Sequence, residues 1–391
     1  MFKFDFNLED DDIDNEFTPS QSEPSTETLV NTEKTSSLKS FEELPLSSLL
    51  AQLPLDISYS PISIPLPNGE PIVLPRRDLF DARLQLIVQD ATSKPNSQEG
   101  VVDAPDDLAF LEAPSDLVPG VYEGGLKTWE CSLDLVICLH DLFRDDTKLL
   151  GKRIIELGCG TAVPTLYLIQ RIFSAPLQAE KKTVIHLQDY NDLVFRLVTL
   201  PNIILAWYMS PASLSFRESY QPPPTDGAEE ESLPPADASS PGELAFSSEL
   251  IAAFEKSLTD YGIELRFFSG SWQTFNLQST GGKYDILLTS ETIYRTDSLP
   301  SLIDVMRSSC LGRPNEDKTQ DETLANLSAE KLSISSEDSS YVCLVAAKLV
   351  YFGVGGGVAE FVRAVKKELG TVKYIWETSE GVKRCVMRVT W

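Results

Sequence analysis

The segment Arg153-Ile154-Ile155-Glu156-Leu157-Gly158-Cys159-Gly160-Thr161-Ala162-Val163-Pro164 constrains the fold of this chain more than any other. Ile154, Ile155 and Leu157 form a short apolar run of the kind that fills a buried strand. Pro164 stands in the first turn of the helix that comes next, where its missing N–H costs nothing. Between strand and helix, Gly158 and Gly160 let the backbone turn sharply and approach a ligand with no Cβ in the way. The helix start behind them offers free N–H groups. A strand, a glycine loop and a helix are one half of a parallel βαβ unit, so the rest of the chain must supply further parallel strands and the helices that cover them.

It does. Residues 183–188 read as a second strand and 192–200 as its helix. Residues 263–268, 284–289 and 341–349 are three further buried strands, and 298–311 and 358–369 are helices. Residues 129–143 have helical spacing through Leu133, Val136, Ile137 and His140, and 371–376 with 384–389 look like a closing antiparallel pair. The expected fold is α/β: a Rossmann-like, seven-stranded, mostly parallel sheet with helices on both faces, over residues 121–391. Residues 46–120 are expected to be an N-terminal extension that packs partly on this domain, with a hairpin inside 46–74 and a short strand at 83–88. Residues 1–45 read as a disordered acidic tail, in which Phe2, Phe4 and Phe6 form either a sticky patch or a small docking segment. Two insertions without an apolar pattern, 211–248 and 312–340, are expected to be disordered.

Charge narrows the partners. The chain has 33 Lys and Arg against 59 Asp and Glu, a net charge of -26. That disfavours direct nucleic-acid binding, which needs cations against phosphate, and suits a basic protein partner. Only two histidines occur, His140 and His186, which argues against Ser–His–Asp hydrolysis and against multi-histidine metal sites. The six cysteines form no CxxC pair, so no metal is expected. No run of about 18 apolar residues predicts a membrane span, and the acidic start does not resemble a secretory leader. A monomer in the cytoplasm and nucleus is the expectation.

The candidate site lies at the strand ends. The third glycine of a dinucleotide fingerprint is absent, because positions 163 and 164 are Val and Pro, so a pyrophosphate is disfavoured. The shorter Glu156-x-Gly158-x-Gly160 form resembles motif I of the class I S-adenosylmethionine-dependent methyltransferases; a purely structural turn would use the same glycines. The second strand ends in Gln188-Asp189-Tyr190-Asn191. An acid there holds ribose hydroxyls in nucleoside-binding α/β folds, and Asp189 or Asn191 would also serve as a helix cap. Gly270-Ser271-Trp272 comes after the third strand and Ser290-Glu291-Thr292-Ile293-Tyr294 after the fourth, so both face one crevice. Trp272 suits adenine stacking and core packing about equally well.

Taken together, these segments resemble one family. Val118-Pro119-Gly120-Val121-Tyr122-Glu123-Gly124-Gly125-Leu126-Lys127-Thr128-Trp129-Glu130-Cys131-Ser132 is similar to the leading segment of the protein-histidine methyltransferases related to methyltransferase-like protein 18, within the family-16 group of seven-strand methyltransferases. The glycine loop, Gln188–Asn191, Gly270–Trp272, residues 288–294, Tyr351-Phe352-Gly353-Val354-Gly355-Gly356-Gly357 and the phenylalanine-rich start agree with it, over about residues 110–391. The resemblance implies methyl transfer from S-adenosyl-L-methionine to the tele nitrogen of one histidine in the large-subunit ribosomal protein uL3. It implies cofactor contacts at Thr128, Trp129, Glu130, Cys131, Ser132, Glu156, Gly158, Gly160, Gln188, Asp189, Tyr190, Gly270, Ser271, Trp272 and Ser290. Glu291 or Asp189 is expected to orient the substrate ring or the cofactor, and Tyr294 or Trp129 to wall the methyl channel. The sequence departs from the family at Ser271, where relatives often carry an acid, and in its two long insertions. A neutral imidazole is already a nucleophile near pH 7, with a free pKa of ~6.5, so such an enzyme works mainly by positioning. Three alternatives stand beside it: a lysine methyltransferase of the same wider group, a small-molecule methyltransferase, and a non-catalytic acidic adaptor that holds a basic ribosomal protein.

Overall fold

The computed structural model describes residues 38–93, 125–177, 180–220, 233–312, 340–351, 355–379 and 381–391. The phenylalanines at 2, 4 and 6, and the segments 94–124, 221–232 and 313–339, lie outside the described residues.

The main sheet joins strands β1 (Glu42–Leu44), β4 (Arg153–Leu157), β5 (Thr183–Asp189), β7 (Ile263–Ser269), β8 (Ile286–Ser290), β9 (Val342–Lys348), β10 (Thr371–Thr378) and β11 (Arg384–Thr390). Their order is β1-β7-β5-β4-β8-β9-β11-β10. The five central strands are parallel, while β1 at one edge and the β11-β10 pair at the other run antiparallel. β4, β5, β8 and β9 are buried on both faces along most of their length, whereas β7 leaves Glu264 and Arg266 partly exposed. Side chains alternate as the pleat requires: Ile154 packs into one core, Ile155 and Leu157 into the other. From β4 the chain winds outward through β5 and β7 and then returns to build β8 and β9 on the other side. The winding therefore reverses between β4 and β8, where an α/β sheet opens a crevice at its carboxyl ends.

The helices are α1 (Leu46–Leu50), α2 (Leu79–Ser93), α3 (Glu130–Leu142), α4 (Val163–Ser174), α5 (Asp192–Tyr208), α6 (Pro211–Ser219), α7 (Ser248–Asp260), α8 (Leu299–Leu311) and α9 (Val358–Lys367). No single helix among the described residues is long and apolar enough to cross a membrane.

Four expectations are corrected. The main sheet has eight strands rather than seven, because β1 joins it from a segment expected to be disordered. The stretch 83–88 is helix, not strand: Leu79, Ala82 and Leu86 recur at helical spacing and bury against Leu193, Val194, Leu197 and Val198 of α5. Residues 211–219 are helical. Residues 233–248 contribute β6 (Gly242–Ala245), which pairs with β2 (Asp56–Ile64) beside β3 (Ile72–Arg77) in a second, three-stranded sheet. Leu244 is fully buried there, and the Phe246 N–H donates to the Leu55 carbonyl at 2.7 Å. One buried leucine in a four-residue strand carries too little periodicity to be seen among prolines and serines.

The N-terminal segment is fastened to the domain in two places. The Arg77 backbone N–H donates to Asn202 Oδ1 at 2.7 Å, and its Nη1 to the Leu197 carbonyl at 2.7 Å, so β3 is locked to α5. At the sheet edge Phe41 stacks on Phe268 with ring centroids 5.2 Å apart and meets Phe275 at 4.8 Å. The Ser271 N–H donates to the Lys39 carbonyl at 3.0 Å. Gly270, at φ +107°, is what lets this segment come so close: a Cβ there would stand 2.1 Å from the Ser40 carbonyl oxygen. Phe41→Ala should therefore cost about 2 kcal/mol of stability, because a half-buried aromatic leaves a void against two rings. Denaturant unfolding checks this, and hydrogen exchange on β7 should rise in the same variant.

Candidate active site

The crevice is built first from the glycine loop. Gly158 and Gly160 both take left-handed conformations, at φ +61° and +49°. A Cβ on Gly158 would lie 2.6 Å from the Thr292 methyl, and one on Gly160 3.1 Å from the Gly125 carbonyl oxygen. Glycine is thus required by conformation and by close approach. The rest of the loop is tied down. The Thr199 hydroxyl donates to the Gly160 carbonyl at 2.7 Å, and Asn202 Nδ2 to the Thr161 carbonyl at 3.1 Å. Both come from α5, which widens to a π-helical turn at Phe195–Thr199 just before Pro201, a residue with no N–H to give. Thr128 and Thr161 share a hydroxyl contact at 3.0 Å.

Two adjacent residues of β5 complete this half. Gln188 Oε1 accepts from Trp272 Nε1 at 2.7 Å and from the Gly158 N–H at 3.4 Å, while its Nε2 donates to the Gly270 carbonyl at 2.9 Å. One amide thereby joins three strand ends. Asp189 Oδ2 accepts the Gly160 N–H at 2.9 Å and Oδ1 the Asn191 N–H at 3.1 Å. Burial pushes the Asp189 carboxyl up to about 6, although backbone N–H donors pull it down. Asn191, not Asp189, caps α5, accepting from the Leu193 N–H at 3.1 Å. Tyr190 lies half-buried beside them. Glu156 sits beneath the loop, accepting from the backbone N–H of Thr165 at 3.1 Å and from its hydroxyl, and burial pushes it up to about 8.

The other half lies over β8 and β9. Glu291 comes directly after the last residue of β8 in a left-handed conformation, φ 58°. Its N–H donates to the Ala346 carbonyl at 3.0 Å. Its carboxylate faces the Tyr351 hydroxyl and the Cys131 thiol, and burial followed by that charge holds both well above their usual values, so both stay protonated. Glu291 Oε1 is buried with no hydrogen bond and stands 3.8 Å from Lys348 Nζ. Lys348 Nζ in turn lies 4.8 Å from the centre of the Trp129 ring, a cation–π contact. The rings of Tyr294 and Tyr351 are 6.3 Å apart. Ser290 Oγ is buried without a partner.

The structure gathers Gly158, Gly160, Gln188, Asp189, Trp272, Trp129, Ser290, Glu291 and Tyr294 at the carboxyl ends of the strands. It turns others into the scaffold. The Glu130 carboxylate faces Arg384 at 3.4 Å, Ser132 Oγ donates to the Trp129 carbonyl at 2.6 Å, and Ser271 Oγ accepts from the Gln273 N–H at 3.2 Å. Lys348 and Tyr351 were missed as site residues, although Lys348 is a polar residue ending a buried strand, as Ser290 is. Both histidines are engaged elsewhere. His186 Nδ1 meets the Tyr284 hydroxyl at 2.7 Å, and burial lowers its value to about 3. His140 lines a cleft of about 510 Å³ with Leu66 and Arg171, near the opposite end of α3 from Trp129.

No family model matches the chain. It is 32% identical to histidine protein methyltransferase 1 of Saccharomyces cerevisiae over 297 residues, covering 73% of this chain and 67% of that protein. The chain belongs to the histidine protein methyltransferase family. The Schizosaccharomyces pombe protein of the same name is 29% identical over 350 residues, 88% of this chain and 83% of its own length. Membership makes the chain a methyltransferase that uses S-adenosylmethionine. Among solved structures, the magnesium protoporphyrin IX methyltransferase of Synechocystis PCC 6803 with bound SAH matches at a TM-score of 0.30 and 10% identity, covering 66% of this chain and 81% of that one.

Glu156 gives this family member a pH-dependent stability. Its folded value of about 8 lies above the ordinary 4.5, so the folded chain holds a proton that the unfolded chain releases. The stabilisation is complete below about pH 4.5 and is lost as pH rises through about 8. Glu156→Gln keeps an acceptor for Thr165 and removes the ionisation. Measured by denaturant unfolding, the wild type should lose on the order of 3 kcal/mol more between about pH 5 and pH 8 than Glu156→Gln does, Asp189 and His186 titrating alike in both.

Proposed function

We propose that the chain transfers a methyl group from S-adenosylmethionine to the tele nitrogen of one histidine in a protein substrate, the basic large-subunit ribosomal protein uL3. The family supports a histidine acceptor, since the relatives are named for it. The observation that carries the reading is Glu291 Oε1, a buried acceptor that receives no hydrogen bond and faces the Lys348 ammonium at 3.8 Å. An imidazole seated there would donate its Nδ1–H to Glu291 and leave the lone pair of the other nitrogen pointing into the crevice.

The residues present fit the methyl donor. Gly158 and Gly160 leave room for its backbone approach, Asp189 and Gln188 offer polar groups at the ribose position, the Trp272 ring offers a stacking face, and Ser290 Oγ is a donor without a partner. Bound there, S-adenosylmethionine supplies a sulfonium methyl that the imidazole lone pair takes in line. The chain's own part is to hold the ring through Glu291, to wall the path with Trp129 and Tyr294, and to exclude water. The proton left on the methylated ring passes to solvent. Neither histidine of the enzyme needs to take part, in keeping with their engagement elsewhere. The net charge of -26 favours a basic partner over nucleic acid. We assign the chain to the cytoplasm and nucleus as a monomer, with residues 46–120 as an extension of a catalytic domain spanning 121–391.

Ribosomal proteins from cells lacking this gene test the reading when incubated with the chain and radioactive S-adenosylmethionine. Label should appear in uL3 and hydrolyse to methylhistidine. Methyllysine, or no label, would overturn it. Glu291→Gln should lower kcat by about tenfold to a hundredfold, because a misplaced ring loses in-line geometry.

A further inference from the structure

The acceptor half of the crevice holds a problem in charge. A carboxylate that receives an imidazole N–H also favours the imidazolium, raising the ring's pKa by about 1–3 units when the two lie within hydrogen-bond reach. From a free value of ~6.5, that rise would protonate the ring at neutral pH. An imidazolium has no lone pair and accepts no methyl group. The acid that orients the acceptor would then also silence it.

The structure supplies the remedy in Lys348. Its ammonium stands 3.8 Å from Glu291 Oε1, and the two side chains are 16% and 9% exposed. The ammonium also lies over the ring of Trp129, 4.8 Å from its centre. The surrounding groups leave the pair as the balance that matters. On α3, Asp134 lies 2.6 Å and Glu130 3.4 Å from Arg384 of β11, so the two acids share that guanidinium. Among the described residues, Cys131 and Tyr351 also face Glu291, and both stay neutral.

We infer that Lys348 is a positioning residue that keeps the acceptor imidazole neutral, its ammonium offsetting the Glu291 carboxylate so that the pocket orients the ring without protonating it. This rests on the histidine reading of the site. It also sets specificity: a pocket with Glu291 compensated suits an uncharged ring, whereas an uncompensated carboxylate would suit a cation such as lysine.

The test is the pH dependence of kcat for full-length enzyme saturated with recombinant uL3, since kcat reports ionisations in the complex. Lys348→Met should move the acidic limb up by about one pH unit. Lys348→Arg, which keeps the charge, should leave it in place. Adding Glu291→Gln to Lys348→Met should bring the limb back down, because no charge then acts on the ring. Asp189, pushed up to about 6, titrates alike in every variant, so the difference between variants is the readout. A lower kcat with an unmoved limb in Lys348→Met would overturn the inference, as would a shift that survives Glu291→Gln. Failure of the wild type to methylate uL3 would instead strike the reading beneath it.

Discussion

The hydrogen bond from the Gly160 N–H to Asp189 Oδ2 sets the shape of the glycine-loop half of the crevice. A buried carboxylate is costly unless it is hydrogen-bonded, and a buried N–H left unmade costs about 1–3 kcal/mol. Each group answers the other. Gln188, the preceding residue, takes Gly158 at the other end of the loop, and its carbonyl accepts the Cys159 N–H at 3.0 Å between them. Two successive residues of β5 thus bracket three of the loop, and the parallel register that pairs Leu157 with Gln188 is what brings them level. The loop is preorganised by the sheet, and its left-handed glycines are the conformation this bracket demands.

The same bracket extends outward. Asn202 accepts from Arg77 of the N-terminal sheet and donates to Thr161 of the loop, so one side chain couples the extension to the site. Gly270 presents its carbonyl to Gln188 while its bare Cα makes room for Ser40. A glycine expected to lie against a ligand is thereby shown to serve the docking of β1 as well. The segment before α1 is consequently part of the same rigid frame as the crevice.

What was legible in the sequence is what depends on short-range pattern. Most of the central strands are buried on both faces and announce themselves as apolar runs. The glycine loop is marked by its glycines and Pro164, and the strand ends by the polar residues just beyond them. What was not legible depends on long-range partners. The three residues of β1 are Glu-Glu-Leu, and their pairing with β7, supported by Phe41 against Phe268 and Arg266 against Glu43, makes them a strand. The run 83–88 has apolar residues at both helical (Leu84, Ile87, Val88) and extended (Leu84, Leu86, Val88) spacings, and contact with α5 decides between them. Within α3 the expected site residues diverge because a helix turns them apart: Trp129, just before its start, faces the crevice while Glu130 faces β11. Tyr351 comes to the site only because β9 ends beside β8, a neighbourhood that no local pattern encodes.

The two halves of the crevice also differ in charge. Around the glycine loop, burial holds Asp189 at about 6 and Glu156 at about 8, with the Lys39 ammonium engaged by Asp192 at the rim. Near neutral pH the Asp189 carboxylate is thus the one largely ionised there, and its field favours a cation in that half. Over β8 and β9, Glu291 carries its own counter-charge in Lys348, and the field is close to balanced. A cationic methyl donor and an uncharged acceptor have the complementary distribution. Transfer removes the positive charge from the first half and places it in the second, beside an ammonium. In the proposed reaction the donor's product has lost the charge that Asp189 attracts, and the proton that the methylated ring gives to solvent returns the second half to balance.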